Sequence, residues 1–409
     1  MKPLRKQGII LFTILALIMV ACGGSDTAEE TVEATPEVVE TLDSPAVTTA
    51  STVDTGVGVT SDPCPEVIGG IPTGADPSKG CIYLGLLNDY TGPFGPYGIP
   101  LETGQRGFWL WANQTGGVGD YSVAIVEGYD TQYNPQKHLE GYKAQRGEVA
   151  ALAMSLGTPQ TQFILDDMDA DNMIAAPMSW YSGWSYKGSD RGLVVEFGSS
   201  YCADGMNALD WAMANLPVDI KTVGVMGYAG DYGGDYAAGV KAAAEANGIT
   251  VAWEYIVPSP EFDVAQAVGL MVTKPVDAYF PAIGPTFMAQ VAGGAFQQGL
   301  TPIAMMAAPS YNDAFTAEGF ALAPLFQSGS MYLMAFVAPY EAQTPGHAAM
   351  RATLQAMGVD SGNLFLTAGW ASQHHLKGVL EAAVKGGDLT RAGIRRAAAN
   401  VSVSSDGMM

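Results

Sequence analysis

Cysteine and histidine are scarce, four of each in 409 residues. That leaves little from which to build a metal cage or a nucleophile–base pair. Basic residues are also few: 19 lysines and arginines stand against 41 aspartates and glutamates, for a net charge of −22. A surface of that sign repels phosphate backbones, which excludes nucleic acid as a partner. Charged residues make up only 15% and apolar ones 48%, too apolar for a disordered chain. No Gly-x-Ser-x-Gly elbow, His-Glu-x-x-His pair or Gly-x-x-x-x-Gly-Lys loop occurs, so nothing argues for catalysis and no cofactor is expected. Asp167-x-Asp169-x-Asp171 starts like a calcium loop. It continues with Asn172 where glycine is needed and Met178 where glutamate is needed, and reads as a solvated helix end. His374 and His375 are adjacent and project apart, so no metal site is expected. Beyond the N-terminus no run of 18 apolar residues occurs, and nothing there is expected to span a membrane.

What the N-terminus does contain is informative. Lys2, Arg5 and Lys6 precede the apolar run Gly8 to Val20, the pattern of an export signal. Met19-Val20-Ala21-Cys22-Gly23 resembles a bacterial lipobox. Residues 1–21 are therefore expected to be a lipoprotein signal peptide, with Cys22 carrying the lipid that anchors the chain to the cell membrane. Residues 22–62 are rich in Thr, Val, Glu, Ala and Pro, with eight acids and no base between Asp26 and Asp54. They read as a disordered acidic tether. Cys64 and Cys81 flank a turn-rich stretch and, in an exported protein, are expected to be bridged. Cys202 is then left as a buried free thiol.

From residue 82 onward, short apolar runs alternate with helical patterns. Strands are expected at 82–87, 122–126, 149–154, 173–176 and 193–197. A second series follows at 221–227, 250–257, 277–281 and 303–307. Helices fall between them, as over 134–146, where Asn134-Pro135 supplies an N-cap and a first-turn proline. From 341 onward the reading is mostly helical, with Met350, Leu354 and Met357 on one stripe. Strands alternating with helices give parallel sheets, and two such series give two doubly wound α/β lobes. Ligands bind such sheets beyond the carboxyl ends of the strands. The candidate loops are therefore 88–97, 155–158, 177–180, 228–232, 282–286 and 308–312.

Those loops carry a resemblance. Thr91-Gly92-Pro93 with Tyr97-Gly98, Tyr129-Asp130 with Asn134-Pro135, Gly230-Asp231-Tyr232-Gly233-Gly234, and Val276-Asp277-Ala278-Tyr279 followed by Gly299-Leu300 occur in that order. Over about 320 residues the chain resembles type I periplasmic binding proteins of the branched-chain amino acid class, the receptors of ABC importers. The resemblance implies two Rossmann-like lobes joined by a hinge, with lobe 1 at 78–199 and 337–400 and lobe 2 at 200–336. It implies a monomer that captures an amino acid, amide or small carboxylic acid and delivers it to an ABC transporter permease. A signalling sensor and a surface hydrolase are the alternatives. Carried over position by position, the ligand residues are Tyr97, Gly157, Thr158, Ser179, Trp180, Tyr201, Tyr232, Gly284, Ser310 and Tyr311. Relatives that bind amino acids commonly place an acid after the strand equivalent to 303–307. Here Pro309 to Asn312 hold none, and Asp313 reads as a helix N-cap. The expected ligand therefore lacks a charged amine.

Overall fold

A computed structural model describes residues 53–186 and 188–409. The expected signal peptide, Cys22 and the tether as far as residue 52 lie outside the described residues. The chain enters through four short strands, β1 (Asp54–Thr55), β2 (Val59–Thr60), β3 (Val67–Ile68) and β4 (Ile71–Pro72). Then come β5 (Gly80–Asn88), α1 (Gly95–Gln114), β6 (Tyr121–Ile125), β7 (Tyr129–Asp130) and α2 (Pro135–Gln145). They are followed by β8 (Ala151–Leu156), α3 (Thr158–Phe163), α4 (Leu165–Asp171) and β9 (Ala175–Met178). β5 is central. It pairs in parallel with β6 and β7 along one edge and with β8 along the other, and β9 joins β8. Every residue of β8 is buried, as expected of a parallel strand covered on both faces, and its run is apolar except for Ser155.

The expected tether ends earlier than 62. Thr60 pairs with Cys81 as β2 lies antiparallel on β5, and Asp54 pairs with Asp388 near the other end of the chain. The composition of this segment is that of a solvated tail, but the free edge of β5 offers unpaired backbone groups that a short strand can satisfy. Cys64 and Cys81 are joined, and Cys202 is a free, half-buried thiol.

A second sheet follows. Its elements are α5 (Tyr201–Asn215), β10 (Thr222–Tyr228), α6 (Gly233–Asn247), β11 (Thr250–Val257), α7 (Val264–Thr273) and β12 (Ala278–Ala282). They continue with α8 (Pro285–Gln297), β13 (Ile303–Ala307), α9 (Ala323–Gln327) and β14 (Met331–Met334). All five strands run parallel in the order β11-β10-β12-β13-β14. Strand order reverses between β10 and β12, the place where doubly wound sheets hold ligands. β14 has no counterpart in the sequence reading, because Met331 to Met334 suits helix or strand equally. Pairing with β13 decides it. The expected strand at 193–197 shrinks to one bridge between Val194 and Ala175.

The chain then returns to the first sheet through α10 (Pro345–Ala356), α11 (Leu364–Lys385), β15 (Asp388–Leu389) and α12 (Arg391–Ala398). α11 lies so close to α1 that a side chain at Gly104 would meet the Leu366 carbonyl at 2.1 Å, and one at Gly369 the Leu101 carbonyl at 2.0 Å. Gln373 of α11 accepts from Trp109 Nε1 at 2.9 Å and donates to the Ala153 carbonyl at 3.1 Å, locking the helix over β8. The expected boundary at 400 is also too early. Met408 is fully buried, and its carbonyl accepts from the Ala338 N–H at 2.8 Å. Among the described residues no helix is long and apolar enough to cross a membrane, and no cluster of side chains could hold a metal.

Candidate functional site

A cavity of about 60 Å³ lies where the carboxyl ends of the two sheets meet. At the liquid's share of about 30 Å³ per water, that is room for about two waters. From the first sheet come Phe94, Tyr97, Tyr133, Thr158, Ser179 and Trp180, and from the second side Tyr201, Asp231, Tyr232 and Pro309. Phe365 closes it from the start of α11. The walls are mostly aromatic and braced by one another. Tyr97 stacks on Phe365 at 4.1 Å, Phe94 lies 4.3 Å from Tyr133, Trp180 stacks on Phe336 at 3.9 Å, and Tyr201 lies 4.9 Å from Tyr232. Burial raises the phenols of Tyr97, Tyr133, Tyr201 and Tyr232 above their ordinary range, so all four stay neutral.

The polar groups are few and placed with definite directions. Thr158 Oγ1 and Ser179 Oγ share a hydrogen bond at 2.5 Å, and Trp184 Nε1 donates to Ser179 Oγ at 2.9 Å. One hydroxyl proton fills the bond between the pair, so one O–H is left to donate, which suits a carbonyl or carboxylate oxygen. Asp231 supplies an acid, and no lysine, arginine or histidine lines the cavity. The indole N–H of Trp180 is buried without a partner. Tyr133 holds its place through strained backbone: it and Gln132 both have φ near +50°, a conformation that costs non-glycine residues roughly 1 kcal/mol each.

A family model described as periplasmic binding protein matches residues 81–409. The chain belongs to the periplasmic binding protein family. Such proteins are extracytoplasmic solute-binding components of ABC transporters. The chain is similar to the fatty acid ABC transporter substrate-binding protein from Thermomonospora curvata, with 25% identity, 87% of this chain and 86% of that one covered, and a TM-score of 0.72. A branched-chain amino acid ABC transporter protein from Thermus thermophilus with bound valine shares the fold at 14% identity, with 81% and 87% covered and a TM-score of 0.67. So does a solute-binding protein from R. palustris in complex with benzoate, at 16% identity, with 80% and 88% covered and a TM-score of 0.65. No curated protein matches the chain in sequence.

In this binding protein the structure brings Tyr97, Gly157, Thr158, Ser179, Trp180, Tyr201 and Tyr232 together around the cavity. It leaves Gly284, Ser310 and Tyr311 out of the lining. The Gly284 N–H donates to Tyr228 Oη at 2.9 Å, which fixes the start of α8 instead. Ser310 is fully buried behind Tyr232: its Oγ meets Tyr232 Oη at 2.9 Å and accepts from the Ile283 N–H at 3.1 Å. The Tyr311 ring packs on Phe315 and Phe326, and only its carbonyl turns toward Tyr97. Asp313 is not the cap of its short helix: Asn312 Oδ1 takes the Ala314 N–H at 2.9 Å. The expectation of a wall without an acid fails for a different reason, since Asp231 comes from the loop after β10. Phe94, Asp231 and Pro309 stood inside the candidate loops without being singled out. Tyr133, Leu101 and Phe365 stood outside them. The Asn134-Pro135 cap was the available pointer to Tyr133, and Phe365 had none.

Proposed function

We propose that this chain captures a small amino acid or its amide between two hinged lobes and passes it to the permease of an ABC importer. The lobes are 78–199 with 337–409, and 200–336. A lipid on Cys22 would hold the receptor at the membrane, where it works as a monomer. The observation that carries the ligand reading is the charge of the wall: one carboxylate, Asp231, a free hydroxyl donor at Thr158/Ser179, and no base. A carboxylate or carbonyl oxygen suits the hydroxyl pair, an ammonium suits Asp231, and an apolar side chain suits the rings. A simple acid such as benzoate or a fatty acid matches the apolar walls but brings a second negative charge beside Asp231 with no cation to offset it. Thermal shift and calorimetry with leucine, valine, leucinamide, benzoate and octanoate test this. A ligand at 100 times its dissociation constant should stabilise the protein by about 2.7 kcal/mol. Binding of an amine-bearing probe, weakened at least tenfold by Asp231→Asn, is expected. Tight benzoate or octanoate binding that Asp231→Asn improves would reverse the assignment.

A further inference from the structure

The loop carrying Gly157 and Thr158 is tied to the interior by a line of buried hydrogen bonds that ligand contact does not explain. It begins on α2. His138 is fully buried, and its Nε2 lies 2.8 Å from Ser155 Oγ on β8. Ser155 Oγ lies 2.7 Å from Thr161 Oγ1 on α3. Thr161 Oγ1 donates to the Gly157 carbonyl at 2.8 Å, and the Thr161 N–H donates to the same oxygen at 3.0 Å. Ser155 and Thr161 are also fully buried. The His138 Nδ1 has no partner.

These facts fix the direction of every proton. An unpartnered buried N–H costs more than an unpartnered lone pair, so the neutral ring carries its proton on Nε2. Burial pushes the imidazole down to about 3, which keeps it neutral throughout the working pH range. His138 then donates to Ser155, Ser155 to Thr161, and Thr161 to Gly157, with one proton in each link. The last acceptor is a residue whose conformation needs holding. Gly157 has φ +99°, and a side chain there would strike Gln160 Oε1 at 2.2 Å and the Tyr133 ring at 2.6 Å.

We propose that His138, Ser155 and Thr161 form a positioning relay. By fixing the Gly157 carbonyl they set the turn that aims the Thr158 hydroxyl at Ser179 and the cavity. The proposal rests on reading Thr158 and Ser179 as ligand contacts, but the relay itself can be measured without any ligand. In ¹⁵N-edited spectra of the whole protein, His138 should be the neutral Nε2–H tautomer from pH 5 to 8. An Nδ1–H tautomer or an imidazolium there would overturn the relay. By hydrogen exchange, Thr161→Val should speed the amides of Gly157, Thr158, Gln160 and Thr161 roughly fivefold, the loss of one ordinary hydrogen bond. The second sheet should be unchanged and Thr161→Ser should restore protection. Unchanged exchange in Thr161→Val would also overturn the relay. Calorimetry with leucine and benzoate supplies the functional arm. Whichever probe the wild type binds should lose about fivefold in affinity in Thr161→Val and recover in Thr161→Ser. Faster exchange without weaker binding would reduce the three residues to core support and refute positioning. If the wild type binds neither probe, the ligand reading fails, while the tautomer and exchange results still decide the relay.

Discussion

At the scale of single residues, burial decides which polar groups serve the ligand and which serve the fold. Ser310 follows a strand end, as a ligand residue should, yet its Oγ takes the Ile283 N–H and meets Tyr232 inside the protein. Ser310→Ala should therefore cost about 1–2 kcal/mol of stability in urea unfolding. A loss of affinity without loss of stability would restore it as a ligand contact. Asp204 is a second such group. It is buried in the first turn of α5 and accepts from the Ser199 hydroxyl. Burial lifts its carboxyl from 3.8 to about 6, against the opposing pull of that hydrogen bond. Because the folded value is the higher one, folding favours the protonated form. That stabilisation is complete below about pH 4 and disappears as pH rises through 6. Asp204→Asn should flatten the fall between pH 4 and pH 7 and leave the protein roughly 1–3 kcal/mol more stable at neutral pH. Unfolding curves with the same pH slope in both proteins would refute this. Thr158, Ser179, Trp180 and Tyr232 were legible because each follows a strand end. Tyr133 and Phe365 were not, because one depends on a left-handed backbone and the other on where a distant helix begins.

At the scale of elements, periodicity and caps located the helices and central strands closely, since burial on both faces leaves an unmistakable apolar run. The shortest strands were illegible. β1, β2, β14 and β15 are short, and pairing with a neighbour creates them more than their own composition does. β2 is the instructive case, because it closes an edge of β5 from within a segment that looks like a solvated tail. The backbone Tyr83 N–H also donates to the Gly58 carbonyl at 2.8 Å. A chain starting at residue 63 should exchange its Cys81–Tyr83 and Asp388–Leu389 amides faster than one starting at residue 53, with the second sheet unaffected. Equal protection in both would mean that the edge needs no cover. The Cys64–Cys81 bridge acts on the same edge. It spans a separation of 17 residues, and its loss should cost roughly 3 kcal/mol in the chain-entropy account.

At the scale of the whole molecule, the two sheets are tied by one hydrogen bond in the cavity wall and by a pair outside it. Tyr97 Oη donates to the Pro309 carbonyl at 3.2 Å. The Ser182 N–H and hydroxyl donate to the Asp235 carboxylate at 2.9 and 2.5 Å. If the sheets move as hinged lobes, Ser182→Ala with Asp235→Asn should enlarge the radius of gyration in small-angle scattering. The pair should also weaken leucine or benzoate binding several-fold without touching the cavity. An unchanged radius would argue for a rigid body. The atoms on both ends of these bonds belong to the chain. If the lobes are hinged, part of the drive to shut is thus independent of cargo. An importer that recognises only the outline of its courier cannot tell a full one from one that has shut on nothing. The strength of these few bonds would then set how much ATP is spent on empty deliveries.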